Sequence, residues 1–293
     1  MDIDTDDHSL TTERTPDCIR RELRAACAGG DLLAIKELRP TAEDVRARDN
    51  SALRAACENG HLLVAQWLAT TFALTAEDAR ARRNEALCLA CLNDHLLVAQ
   101  WLAKTFGFTA EDARVEYNWA LRLACSNGHL LVAQWLAKTF GLTAKDARAD
   151  HNGALRYACG KGHLAVAQWL TKTFGLTAED ARACDNWALR LACSDGHLLV
   201  AQWLAEKFAL TAEDARADHD QALRLACMDG HLQVAQWLAE RFALTAEDAR
   251  ACDNWALHWA LQNGHLNVAQ WLVERFGLTA DDVLAGNNWV VRK

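Results

Sequence analysis

Two residue types that bind metals recur along this chain at a fixed interval. Histidine stands at His61, His95, His129, His163, His197, His231 and His265, and cysteine at Cys27, Cys57, Cys91, Cys125, Cys159, Cys193 and Cys227. Imidazoles beside thiols form a donor set suited to zinc. Geometry argues against that chemistry. Packed helices sit about 8–10 Å apart, whereas every ligand of a zinc ion lies within about 2.3 Å of it. Successive members of a column therefore cannot share an ion, and one repeat alone offers only two donors. Leu261 takes the cysteine's place in the last repeat, as a small apolar packing position permits. No metal and no cofactor is expected, and the cysteine column is expected to be buried and unpaired.

The remaining reactive groups are repetitive too. Glu77, Asp78 and Arg80, with their equivalents, offer carboxylates and an arginine, but they open a short helix, where acids favour the helix dipole. Catalysis needs different groups converging at one place, and the same groups in eight copies single out no place. No catalytic residue is assigned, and the chain is read as not an enzyme. Trp67, Trp101, Trp135, Trp169, Trp203, Trp237 and Trp271 recur among Leu and Ala. They are expected to be core or near-core packing, not a stacking ladder for bases.

The elements that carry these columns form a 34-residue repeat. The triplet GHL or its variant begins at Gly60, Asp94, Gly128, Gly162, Gly196, Gly230 and Gly264, and such periodicity outranks any local reading. An earlier copy around Gly30 lacks four residues between Arg39 and Pro40, close to one helical turn, which keeps the phase. Repeats start near 16, 51, 85, 119, 153, 187, 221 and 255, with a partial ninth from 289. Residues 1–15, with Asp2, Asp4, Asp6 and Asp7, are expected to form an acidic flexible tail. Thr15 and Pro16 supply an N-cap and a first helical residue. In the sixth repeat, Leu189, Ala192 and Cys193 form a helical stripe that predicts helix A near 187–195, with Asn186 placed to cap it and Gly196 ending it. Leu198, Val200, Ala201, Trp203, Leu204 and Phe208 cover most of a second helix, B, near 197–208. Thr211 and Asp214 make a variant capping box for a short helix near 211–217. No β-hairpin is signalled.

Composition limits the function classes. About half of the 293 residues are apolar (51%) and the formal charge is −8, so a packed core is affordable while long-range attraction to nucleic acid or anionic lipid is disfavoured. No apolar run reaches the roughly 18 residues of a membrane span, and MDIDTDDHSL does not read as a secretory leader. An intracellular, cytoplasmic protein is expected, with its eleven cysteines reduced.

The stretch ALRLACSDGHLLVAQWLA resembles the helix-turn-helix core of the ankyrin repeat, including Leu189, the small pair Ala192 and Cys193, and the turn Gly196-His197. The match recurs in seven repeats and is weak in the first. Two features depart: Trp187 and Ala188 replace the family's threonine and proline, and the TAEDAR segment replaces its hairpin finger. The array looks most like the lineage-specific ones of large DNA viruses and some protists, which would place it in a host cytoplasm. The resemblance implies an all-α, ankyrin-like helical repeat solenoid of about eight repeats, with a short helix in place of the β-hairpin finger. It also implies a scaffold that binds protein partners. Tetratricopeptide repeats share the period but need two longer helices and lack the glycine-histidine turn.

Positions that differ between repeats carry the binding expectation. Helix A begins with Ser51, Glu85, Trp119, Gly153, Trp187, Gln221, Trp255 and Trp289, and the preceding loop holds Arg82 with Arg83, Glu116 with Tyr117, Asp150 with His151, and Asp218 with His219. CDNW recurs 68 residues apart at Cys184 and Cys252, which suggests duplication of a two-repeat block. A second variable strip runs through Glu58, Ser126, Lys161, Ser194, Met228 and Gln262. By the resemblance, both strips map to the finger and inner groove. The expected partner-binding set is Arg82, Arg83, Glu85, Tyr117, Trp119, His151, Tyr157, Trp187, His219, Gln221, Trp255 and Trp259, since aromatics are enriched at hot spots. Trp187 and Trp255 stand where Glu85, Gly153 and Gln221 occur elsewhere, so they should be partly exposed, and their loss should leave melting unchanged. Loss of a buried Trp203 should cost about 3–5 kcal/mol. A monomer without nucleic-acid or membrane partners is expected. The competing readings are a drifted array with no dedicated partner and a helical-repeat RNA binder.

Overall fold

The computed structural model describes residues 15–279 and 281–282. Asp2 to Asp7 of the acidic tail, and the partial ninth repeat with Trp289, lie outside the described residues. The chain divides into two compact units, Met1–Phe108 and Thr109–Lys293. Every regular element among the described residues is a helix.

In the first unit, Thr15 accepts from the Cys18 amide and Pro16 opens the helix Pro16–Gly29. The second helix of this repeat, Leu32–Glu37, has 6 residues where its counterparts Leu62–Thr71 and Leu96–Thr105 have 10. The four missing residues therefore shorten one helix and leave the rest of the repeat in phase. Pro16–Gly29 packs on Ala42–Glu58, which packs on Ala81–Leu92. Leu23, Leu53 and Leu87 are fully buried in that stack.

The second unit repeats the pattern along Ala110–Ser126, Ala149–Gly160, Ala178–Ser194, Ala217–Met228 and Ala251–Gln262, each packed on the next. In the sixth repeat helix A spans 187–194 at the end of Ala178–Ser194, and helix B is Leu198–Lys207. The short helix is Ala212–Ala215, inside the predicted stretch. Its capping box is complete: Asp214 accepts from the Thr211 amide and hydroxyl and donates its own amide to the Thr211 hydroxyl. This helix occupies the place of the hairpin finger.

The glycine-histidine turn has two separate requirements. Gly196 sits at φ 78°, open to glycine at little cost, and a Cβ there would lie 2.6 Å from the His231 ring of the next repeat. The same approach recurs at Gly30 with His61 and at Gly162 with His197. His61 completes its contact through Nε2 to the Ala28 carbonyl at 2.9 Å. Burial pushes His163 below the ordinary imidazole value, with the bond to Ser126 opposing and His129 and His197 adding to the shift. Within each unit these histidines are thus inter-repeat packing on a glycine platform.

The cysteine column is buried and free of disulfides. Burial pushes the Cys27 thiol up to about 12 and raises Cys57, Cys125, Cys159, Cys193 and Cys227 further. Thiols held protonated in apolar surroundings are inert. Among the described residues no group of three or more His, Cys, Asp or Glu could hold a metal ion. No helix there is long and apolar enough to cross a membrane.

The helix B tryptophans differ from the expectation. Trp203 and its six equivalents are half-buried rather than enclosed. Each lies edge-on to the phenylalanine five residues later, as Trp203 does to Phe208 at 5.7 Å between centroids. The reason is angular: Val200, Ala201 and Leu204 face the core and are closed off, and the ring at 203 sits at the border of that face.

Candidate interaction surface

Past the first repeat, whose helix opens on the Thr15 cap, helix A of each repeat is entered through a turn that its sequence presents as a simple cap. Cys184, Asp185 and Asn186 all adopt left-handed angles, φ 54°, 55° and 59°. Six more such triplets precede the other helices, at 48–50, 82–84, 116–118, 150–152, 218–220 and 252–254. Left-handed geometry costs a non-glycine residue about 1–2 kcal/mol and is normally confined to single residues. Asn186 is therefore not an N-cap, which needs extended angles. It is the buried third member of a one-turn left-handed segment. Asn in this place reaches the next short helix: Asn50 Nδ2 donates to Asp78 Oδ1 at 3.2 Å, and Asn118 Nδ2 to the Asp146 carbonyl at 3.3 Å.

A buried arginine holds the turn together. Arg54, Arg122, Arg156, Arg190 and Arg224 sit one turn into helix A, and each donates back to carbonyls of the left-handed residues before it. Arg190 Nη2 reaches the Cys184 carbonyl at 2.8 Å, Arg156 Nη2 that of Asp150 at 2.7 Å, and Arg224 Nε that of His219 at 2.7 Å. Arg156, Arg190 and Arg224 are below a tenth exposed. A buried cation must be compensated, and the compensation comes from the variable strip of the following repeat.

Two chemistries alternate there. Arg122 is bonded by Asp150, and Arg190 by Asp218 and Gln221. Arg156 instead lies under the Trp187 ring, 4.6 Å from its centroid, and Arg224 under Trp255, at 5.0 Å. Cys184 and Cys252 stand where Asp150 and Asp218 supply the carboxylate. The 68-residue recurrence of CDNW is thus the period of a switch between ring and carboxylate. Glu85 plays the carboxylate part for Arg54. Gly153 is buried, and a Cβ on it would meet Arg122 Cδ at 2.9 Å. Variation along the strip reflects alternative covers for one buried cation as well as exposure.

The strip keeps a surface. Tyr117 is 68% exposed, Trp187 40% and Tyr157 37%. Arg82, Arg83, His151 and His219 are exposed, and Glu85, Trp119, Gln221, Trp255 and Trp259 are partly so. Trp255 and Trp259 lie together, 5.7 Å between centroids. Lys161 and Ser194 of the second strip are drawn into inter-repeat bonds, to Asp195 at 3.1 Å and Asp229 at 3.0 Å.

A ladder of ion pairs runs beside the strip. In the TAEDAR segments of each unit, an arginine reaches the capping aspartate of the next copy. Arg148 binds Asp180 at 2.7 and 2.9 Å, Arg182 binds Asp214 at 2.6 and 2.8 Å, and Arg46 binds Asp78 at 3.2 Å. Burial raises Asp146, but the bonds from Arg114 and from Thr143 outweigh it and hold its pKa down to about 2. The sequence pattern placed these acids at the helix dipole and in the capping box, but not in an ion pair. Their pairing partner lies 32 residues upstream, within one period, which is the signal that could have found it.

The repeated helix-turn-helix, stacked through these columns, defines a helical repeat protein. Residues 189–282 match the family model described as ankyrin repeats (3 copies), and the repeats of the described residues fit an ankyrin repeat protein. Ankyrin repeats in general mediate protein–protein interaction, and the family is typically non-catalytic. No curated protein matches the chain.

Proposed function

We propose that this protein is a non-catalytic scaffold that binds a protein partner through the outward residues of the variable strip. The observation that carries the reading is the contrast between columns that stay alike in most repeats and a strip that varies while exposing Tyr117, Tyr157 and Trp187. Of the proposed anchors, Tyr117, His151, His219, Arg82 and Arg83 project most freely, and Tyr157 is partly open beside Arg156. Trp187 and Trp255 present one face to solvent and use the other on Arg156 and Arg224. Trp119, Glu85, Gln221 and Trp259 complete the set. The array is taken as one functional length from residue 16 to 293, monomeric, acting in a reducing interior where free thiols persist.

The test is retention of proteins on the immobilised chain, with and without nuclease, for the wild type and for Tyr117→Ala with Tyr157→Ala. A partner kept after nuclease and lost on the double variant supports the reading. Retention that vanishes with nuclease indicates RNA, and a partner kept equally by both chains means the strip is not a defended surface.

A further inference from the structure

A groove recurs along the strip, between the second left-handed residue of one turn and the short helix that follows. Three copies can be compared. Near the start it is lined by Arg46 and Arg82 against Asp49, Glu77 and Asp78. Towards the end it is lined by Arg216 and His219 against Asp220, Glu247 and Asp248. In the middle copy the lining is Arg114, Lys145 and Arg148 against Glu116 and Asp146, with Tyr117 on the rim. The middle groove alone of the three carries more basic than acidic side chains, and alone presents an aromatic.

Two substitutions create this difference. The short-helix position of Lys145 is acidic in all other copies, as Glu43, Glu77, Glu111, Glu179, Glu213, Glu247 and Asp281. The turn position of Tyr117 is Asp49, Arg83, His151, Asp185, His219 and Asp253 elsewhere. Both side chains are exposed, so neither is needed by the packing that the other copies achieve without them.

We infer that the groove formed by Tyr117, Lys145, Arg114 and Arg148 docks an acidic peptide segment bearing an apolar side chain. This deepens the scaffold reading and rests on it. Arg114 and Arg148 are paired with Asp146 and Asp180, so Lys145 supplies the charge for a carboxylate, and Tyr117 supplies a flat apolar face beside it, an arrangement suited to a short acidic-apolar motif. The net charge of −8 does not prevent this. At physiological ionic strength charges are screened beyond about 8 Å, close to the spacing between neighbouring repeats, so the local sign governs. The acidic majority of the other two grooves disfavours such a ligand there.

The experiment uses the full chain and a fluorescein-labelled decapeptide of alternating glutamate and leucine, followed by polarisation at low and physiological salt. A lysine-leucine decapeptide and a decamer of uridylate serve as controls. Lys145→Glu and Tyr117→Asp are the variants, since both install residues that other repeats carry at those positions and so preserve folding, checked by circular dichroism. The expected result is saturable binding of the acidic peptide alone, weakened tenfold or more by each variant and weakened by salt. A companion gain, Glu247→Lys with His219→Tyr, should add a second site. Equal binding by Lys145→Glu, or tighter binding of the uridylate decamer that Lys145→Glu abolishes, overturns the inference. If the peptide fails while protein partners are still lost on Tyr117→Ala with Tyr157→Ala, this groove assignment falls and the scaffold reading stands. If the peptide binds as expected but no protein partner is retained, the scaffold reading falls instead.

Discussion

Asp220→Asn should stabilise the protein at neutral pH and leave it unchanged in mild acid. Asp220 is the third residue of a left-handed turn, a position that holds Asn50, Asn84, Asn118, Asn152, Asn186 and Asn254 in the other copies. It is 8% exposed, and its Oδ1 has no hydrogen-bond partner. Burial pushes its pKa up to about 6 and the Asp248 carboxylate adds to that, while Arg216 and Arg224 oppose it. Arg216 is already committed to Asp248. A folded pKa raised above the unfolded value near 3.8 means that the folded chain holds the proton more tightly. Its stabilising effect is therefore complete below about pH 4 and is lost as pH rises through 6. At about 1.4 kcal/mol per pK unit, the ionised carboxylate costs about 2–3 kcal/mol at pH 7.5. An amide keeps the donor that protonated Asp220 would supply, as Asn50 does to Asp78. Melting followed by circular dichroism should rise by about 4–10 °C at pH 7.5 for Asp220→Asn, with the difference gone near pH 4. An unchanged midpoint at pH 7.5, or an equal gain at both pH values, would refute the reasoning.

Three further outcomes follow from the same contacts. Asp146→Asn breaks the bonds to Arg114 and should cost about 1–3 kcal/mol at neutral pH. Because the folded pKa of Asp146 is depressed to about 2, that stability is present above about pH 4 and fades as pH falls towards 2, so urea midpoints of variant and wild type should converge in acid. Arg156→Leu leaves the Asp150 carbonyl unpaired and should cost about 1–3 kcal/mol. Trp187→Ala should now also lower stability, by about 0.5–2 kcal/mol through the lost ring-cation contact, and a double-mutant cycle with Arg156→Leu should show coupling; additive losses would count against the contact. Leu204→Ala should cost about 2–5 kcal/mol and Trp203→Ala, whose ring lies at the border of the core, about half as much; the reverse order in urea denaturation would contradict the burial described above.

The period of 34 residues, the glycine-histidine turn and the Thr-x-x-Asp box determined the helices and their order from the sequence alone, because they depend on backbone geometry and on residues three or four apart. The boundaries at 187–194 and 198–207 and the short helix in the finger position were legible for that reason. So was the exposure of the strip, since Glu, Gln and Trp sharing one position with partial access to water needs no tertiary knowledge. Only the stacked structure decided what the strip packs against. Arg190 reads as a polar residue in an amphipathic helix, yet it is buried because the turn six residues before it and the strip of the next repeat converge on its guanidinium. The left-handed turns were invisible for a related reason: three such residues in sequence are locally unfavourable, and in five of the seven turns they are bridged by an arginine five or six residues on, whose guanidinium is covered by the strip of the next repeat. Trp203 is only partly enclosed because it lies at the border of the face formed by Val200, Ala201 and Leu204.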